Sequence, residues 1–287
     1  MRQEIEAFLN YLSAEKGFSE NTIAAYKNDL YQLEDFIQDL GKKQRWPEVD
    51  RQLILSYLLN LKTRGYAPAT IARKTASVKS LFKFLAAKAV VTNVPTENLG
   101  SPRVKKSLPR PLTVAQVKEL LKQPDKYSTP GAMRDKAMLE FLYASGLRVS
   151  ELVSLNLEDL NLQNDCVTCL IKSSKVRTIT IRRDSVPSLK KYLDEAYPQL
   201  ASQKEVKALF LNRLGDRLTR QGFWQILRNY AREAKLNVVV TPRTLRHSFA
   251  AHTLSQGTGI HAVQQSMGHA NISTTQAYAH LAGRKKS

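Results

Sequence analysis

The chain has 287 residues, 43% of them apolar, enough for one large domain or two of ordinary size with real cores. Lys and Arg number 44 against 25 Asp and Glu, and a net charge of +19 repels itself in a compact state, so it is ordinarily kept for a polyanion. Nucleic acid is the leading partner and a membrane the weaker one, since no window approaches the roughly 20 apolar residues of a bilayer span. Met1-Arg2-Gln3-Glu4 opens no apolar signal core, and the chain is expected to stay in the cytoplasm.

The first ninety or so residues read as four helices with short loops. Ile5, Phe8, Leu9 and Leu12 repeat at helical spacing; Ser19 then caps a second helix carrying Ile23, Tyr26, Leu30, Leu33 and Ile37. A third starts after Asp50 with Ile54, Tyr57, Leu58 and Leu61 and stops at Gly65. The fourth follows Pro68 and holds Ile71, Val78, Leu81, Phe82 and Leu85. It also carries Arg73, Lys74, Lys79 and Lys83 with almost no acids. A charge run on one helix is as readily a solvated face, but the charge of the whole chain favours a surface turned to DNA.

Pro95, Gly100, Pro102, Pro109 and Pro111 break the pattern, and Lys105-Lys106 adds charge attractive to phosphates. Residues 91–110 are therefore expected to link a first domain, 1–90, to a second, 111–287. The second opens at Thr113 with Gln116 three residues on, a capping box. Helices follow around 114–122, 132–145, 186–196, 220–235, 243–255 and 260–267. Strand-like runs Cys166–Ile171 and Thr178–Ile181 flank Lys172, Lys175 and Arg177, which predicts a hairpin with a basic tip. The fold expected is mainly helical with a small sheet. Cys166 and Cys169 are a lone C-x-x-C, but residues three apart on a strand face opposite ways and no second pair exists, so neither a metal nor any other cofactor is expected.

Phosphate-binding G-x-x-x-x-G-K-[ST] and zinc-binding H-E-x-x-H patterns are missing. What remains is a set of cations with one tyrosine: Arg148, Lys172, Arg243, Arg246, His269 and Tyr278. Each alone has an ordinary reading as a surface, capping or core residue. Together they fit one chemistry. A phosphodiester under attack gains charge on its non-bridging oxygens, and Arg148 and Arg246 can hold those oxygens by forked, charge-assisted hydrogen bonds. A Lys on a hairpin tip can protonate the leaving 5′-oxygen. A phenol can form a covalent intermediate that keeps the bond energy, and no metal is needed where arginines stabilise the charge.

Three motifs carry a resemblance: Gly146–Leu152 (G-L-R-V-S-E-L), Thr241–His252 (T-P-R-T-L-R-H-S-F-A-A-H) and Met267–His280 (M-G-H-A-N-I-S-T-T-Q-A-Y-A-H). In order and spacing the chain resembles the tyrosine recombinase (phage integrase) family, most of all its Xer-type members. The resemblance implies an N-terminal four-helix, SAM-like core-binding domain and a catalytic domain that together clamp double-stranded DNA. It places the two arginines on Arg148 and Arg246, the hairpin lysine on Lys172 through the K-x-x-K-x-R pattern with Lys175 and Arg177, the late histidine on His269 and the nucleophile on Tyr278. The helix from Thr219, with Arg220 and Gln221 at its start, is similar to the element that enters the major groove. Strand exchange through a 3′-phosphotyrosine and a Holliday junction is implied, by a tetramer of this chain alone or with a related recombinase on paired sites, with a DNA translocase as a further candidate partner. Chromosome or plasmid dimer resolution and mobile-element integration both fit.

Two departures stand out. Arg243 occupies the first position of H-x-x-R and cannot act as a base near neutral pH, although it can donate to a phosphate. Base duty is then expected of His269, or less so of His247, which ordinarily reads as a packed helix residue. Nine residues follow Tyr278, where the resemblance implies a further helix docking on a neighbouring subunit, so ordinary cyclic assembly is not expected of the chain as it stands. A type IB-like topoisomerase, or a DNA-binding protein that lost catalysis with its base, are the rival readings.

Overall fold

Side-chain caps decide where six of the described helices begin. The structure is a computed structural model that describes residues 1–40, 45–100, 110–162, 166–171, 175–180, 185–202 and 205–283. These divide into two compact units, Met1–Ser107 and Leu108–Ser287. In the first, Ser19 accepts from the Thr22 N–H and Asp50 from the Leu53 N–H, opening α2 (Glu20–Asp39) and α3 (Arg51–Thr63) after α1 (Arg2–Ala14). Proline at the first position starts α4 (Pro68–Ala87). Their apolar faces meet in one core, with Phe8, Leu33, Ile37, Ile54, Leu61, Val78 and Phe82 all buried. Side chains of this kind each contribute about 1.5–3 kcal/mol on burial.

A charged pair lies inside that core. Asp29 is fully buried, and Lys74 Nζ meets its Oδ1 at 2.9 Å with only 3% of the lysine exposed. Arg73 also pairs with Asp29, from a partly exposed position. This corrects the reading of Lys74 as a DNA-facing residue: a buried carboxylate needs a charge partner, and the lysine is committed to it. Lys79 is half-buried, while Lys83 is exposed. The segment expected to be linker from residue 91 is packed at its start, where Val91 and Leu99 are buried in the same core. Lys105 and Lys106 lie outside the described residues.

The second unit is built around α6 (Pro130–Ser145), buried on nearly every side. Thr113 and Gln116 form the expected capping box of α5 (Val114–Lys122). The remaining helices are α7 (Val149–Ser154), α8 (Val186–Lys191) running through a π-turn at Tyr192–Ala196 into α9 (Tyr197–Ala201), α10 (Arg220–Glu233), α11 (Pro242–Ser255), α12 (Ile260–Met267) and α13 (Ser273–Gly283). The helices α7 and α13 had not been delimited from the sequence. Strands β1 (Leu160–Asn161), β2 (Cys166–Ile171) and β3 (Lys175–Thr180) form one antiparallel sheet in that order, with Val167 opposite Ile179 and both turned into the core. The third strand begins at Lys175, earlier than expected, because its first residues are too polar to betray a strand. Among the described residues no helix is long and apolar enough to cross a membrane.

The Asp29 cluster yields a stability test. Asp29→Ala strands Lys74 as a buried charge and should cost about 3–5 kcal/mol, whereas Asp29→Leu combined with Lys74→Met should be neutral or stabilising. Chemical denaturation of the two variants beside the parent chain measures both.

Candidate active site

Two left-handed glycines end two helices and gather the site. Gly146 (φ 62°) closes α6 and Gly268 (φ 60°) closes α12. A helix C-terminus presents unpaired carbonyls and the negative end of its dipole. The arginines occupy these ends. Arg246, on α11, donates Nη1 to the Gly146 carbonyl and Nη2 to the Met267 carbonyl, each at 2.5 Å. Arg148 donates Nη2 to the Gly268 carbonyl at 2.8 Å. Glycine is needed at 268 for space as well as for φ: a Cβ there would lie 1.9 Å from Arg177 Nη1 and 3.4 Å from Arg148 Nη1.

One carboxylate holds the cations together. Glu151, on the first turn of α7, accepts from Arg148 Nη1 at 2.7 Å and from Arg177 Nη2 at 2.9 Å. It also accepts from the Arg148 backbone N–H at 2.7 Å, so the acid that caps the helix also sets its arginine. Arg177 was expected on a DNA-facing hairpin; it instead turns inward from β3 to Glu151, a second correction. Burial, with Arg148 close by, lowers Arg246 from 12.5 to about 10, still protonated near neutral pH.

Tyr278, on α13, lies with Arg148, Arg243, Arg246, His247 and His269 around a cavity of about 310 Å³. It is 3% exposed and sits in a small apolar cluster with Phe249, Ala250, Val263 and Met267. Burial raises its phenol, against the opposing pull of Arg246 and Arg243. Its hydroxyl lies 2.5 Å from Nδ1 of His247, and Arg243 Nε donates to the other nitrogen of that ring at 3.2 Å. His269 stacks on the tyrosine, ring centroids 6.3 Å apart, and its Nδ1 bonds Thr275 Oγ1 at 3.0 Å. Burial first, then the arginines, lower both histidines from 6.5 to about 4.

The sequence reading thus finds five of its six chemistry-bearing residues brought together; the sixth, Lys172, lies outside the described residues, as does the side chain of Lys175. Arg220 and Gln221 are exposed at the start of α10 and are not among that cavity's lining residues. One member was missed: Glu151 stands three residues after Arg148, a capping-box signal visible in the sequence. His247, weighed there only as the lesser base candidate because a lone helical histidine usually packs, stands four after Arg243 and bonds the tyrosine.

Comparison with known proteins identifies the chain's relatives. The chain matches the phage integrase family over residues 110–284 and the phage integrase N-terminal SAM-like domain over residues 5–89. A tyrosine recombinase XerC of Roseiflexus sp. (strain RS-1) is 48% identical over 98% of this chain and 90% of that protein. A tyrosine recombinase XerD of Oceanobacillus iheyensis is 42% identical over 96% of this chain and 93% of that one. The crystal structure of the XerH site-specific recombinase, in a post-cleavage complex with palindromic difH substrate, shares the fold at TM-score 0.78 and 20% identity, covering 99% of this chain and 93% of that one.

The two neutral histidines make stability depend on acid. Their folded-state values lie below the ordinary 6.5, so the unfolded chain binds more protons between about pH 4 and 6.5. Their contribution is present above pH 6.5 and should be lost as pH falls toward 4. Denaturation midpoints across that window should fall less steeply in a His247→Gln/His269→Gln variant than in the parent.

Proposed function

The chain belongs to the phage integrase family of tyrosine recombinases, and from that premise we propose that it cuts and rejoins double-stranded DNA at specific sites through Tyr278. The observation that carries this reading is a buried tyrosine hydroxyl, bonded to His247, in one cavity with two arginines held on helix carbonyls. Tyr278 Oη attacks the phosphorus, a 3′-phosphotyrosine bond forms and the bond to the 5′-oxygen breaks. Arg148 and Arg246 stabilise charge developing on the non-bridging oxygens, and their fixed geometry costs no reorganisation in the transition state. Lys172 supplies the proton for the leaving oxygen. The 5′-hydroxyl of a partner strand then reverses the step. Because bond energy stays in the phosphotyrosine, no external energy source is required.

Binding is attributed to Arg220 and Gln221 at the exposed start of α10, to Arg73, Lys79 and Lys83 on α4, and to Lys105, Lys106 and Lys175. The two units acting as a clamp, a tetramer on paired sites, and a cytoplasmic place of action extend the same reading. Xer-type recombination, as named for the relatives above, is the form it takes.

A nicked suicide duplex, on which cleavage becomes irreversible, tests the proposal. The parent chain should become covalently joined to DNA, and Tyr278→Phe should bind equally while losing adduct by at least about 10³-fold. Adduct formation by the Phe variant would remove Tyr278 from its role. Relaxation of supercoils regardless of sequence would replace the recombinase by a topoisomerase.

Lys172 has its own test. Lys172→Ala should cleave ordinary DNA about 10²–10⁴-fold more slowly, and a 5′-bridging sulfur, which leaves without a proton, should restore most of the rate. Absence of rescue would move the acid elsewhere, with Lys175 the nearest alternative.

A further inference from the structure

Arg243 stands where the resemblance implies a histidine, and its geometry gives it a task of its own. A guanidinium nitrogen only donates hydrogen bonds. Arg243 Nε lies 3.2 Å from Nε2 of His247, so that nitrogen must offer its lone pair. A neutral imidazole carries a single N–H, which then belongs to Nδ1. Nδ1 is the atom 2.5 Å from the oxygen of Tyr278. We propose that Arg243 is a positioning residue that fixes His247 as the Nδ1–H tautomer, so that His247 donates a hydrogen bond to Tyr278 Oη rather than accepting its proton. The inference rests on Tyr278 being the nucleophile.

The activation step changes accordingly. His247 has no free lone pair toward the tyrosine and is not its base. His269 lies nearly parallel to the phenol (12° between planes) with Nδ1 engaged by Thr275, and among the described residues the hydroxyl's hydrogen bond is made to His247, not to His269. Among the described residues the cavity lining holds no carboxylate. The phenolic proton therefore passes to solvent hydroxide, forming water, before attack. The phenolate then bonds to phosphorus as the bond to the 5′-oxygen breaks, and that oxygen takes its proton from Lys172. His247 keeps its Nδ1–H throughout. On rejoining, the phenolate is the leaving group and the same N–H receives it.

Of the groups around this oxygen, Arg246 and Arg243 favour the anion. Arg243, Arg246 and His247 approach from α11, Arg148 lines the same cavity from the start of α7, and His269 stacks from the turn after α12. Glu151 and Arg177 lie behind Arg148 and pair with each other. Burial opposes ionisation most strongly, and Arg246 and Arg243, with the donor at 2.5 Å, act against it.

Long-range ¹H–¹⁵N correlation of protein labelled with [¹⁵N]histidine reads the tautomer without DNA or turnover. Signals of His247, assigned by their loss in His247→Gln, should show Nδ1 protonated and Nε2 bare in the parent between about pH 6 and 8. In Arg243→Leu, which replaces an exposed side chain, the ring should switch to Nε2–H, with Tyr278 donating to Nδ1. A parent chain already in the Nε2–H form would overturn the inference whatever the cleavage assay gives; a failed Tyr278→Phe control would instead strike the nucleophile. Kinetics supply the second reading. Single-turnover cleavage by the parent should rise about tenfold per pH unit between roughly pH 6.5 and 8.5, as expected for a buried phenol raised above its ordinary value and losing its proton to solvent. In Arg243→Leu the profile should flatten, because the freed Nδ1 can take the proton. A parent rate that is flat over that range would also overturn it.

Discussion

Arg148, Arg177 and Arg246 lie close enough to act on one another electrostatically, and in water-poor surroundings like charges that close repel strongly. The structure resolves this constraint before any substrate arrives. Glu151 pairs with two of the guanidiniums and offsets half of their charge, and the third lies across the carbonyls that end α6 and α12. Helix C-termini are the one backbone feature that carries negative partial charge without titrating. A cation seated there keeps its geometry at any pH, which a carboxylate partner alone would not guarantee. Only one carboxylate is used, so the cluster keeps a net positive charge to meet the anionic phosphodiester.

The same field sets the protonation states around it. Cations and burial both act against a charged imidazole, which is why His247 and His269 stay neutral. They act in opposite directions on the phenol, since burial disfavours the phenolate while Arg246 and Arg243 favour it. The tyrosine is therefore the group whose ionisation responds most to small changes in its neighbours. A hydrogen-bond donor placed on its oxygen shifts that balance, where an acceptor would not.

Much of this was legible in the sequence, for identifiable reasons. Ser19, Asp50 and Thr113 announce helix starts because their side chains satisfy backbone N–H groups that nothing else can reach. Arg148, Arg246 and Tyr278 stand out only jointly, through their order and spacing. The helix α7 escaped delimitation because six residues show less than two turns of periodicity, and α13 because its small and polar residues carry little apolar pattern. Lys74 was misjudged since a charge run on α4 looks alike whether solvated or committed, and its buried partner Asp29 lies 45 residues away in sequence. His247 was misjudged for a similar reason: its tyrosine comes 31 residues later.

The motifs themselves show why fold and chemistry cannot be separated here. Gly146 and Gly268 belong to G-L-R and M-G-H, segments that read as catalytic signatures, yet each glycine is first a left-handed helix cap. Phe249 fills the space beside Gly146 that a Cβ would need, and the Arg177 guanidinium does so beside Gly268. Any larger residue would strain the backbone and displace the side chain that packs there. The carbonyls that receive Arg246 are fixed by these same two caps. The left-handed turns therefore set the distance between the arginines, and through it the size of the anion the site can hold. Substitution at position 243 leaves that frame intact, because the carbonyls at the two caps are bonded by Arg246 and Arg148, whereas Arg243 bonds the ring of His247. The activation of the nucleophile can thus vary along α11 while the anion-binding frame stays constant.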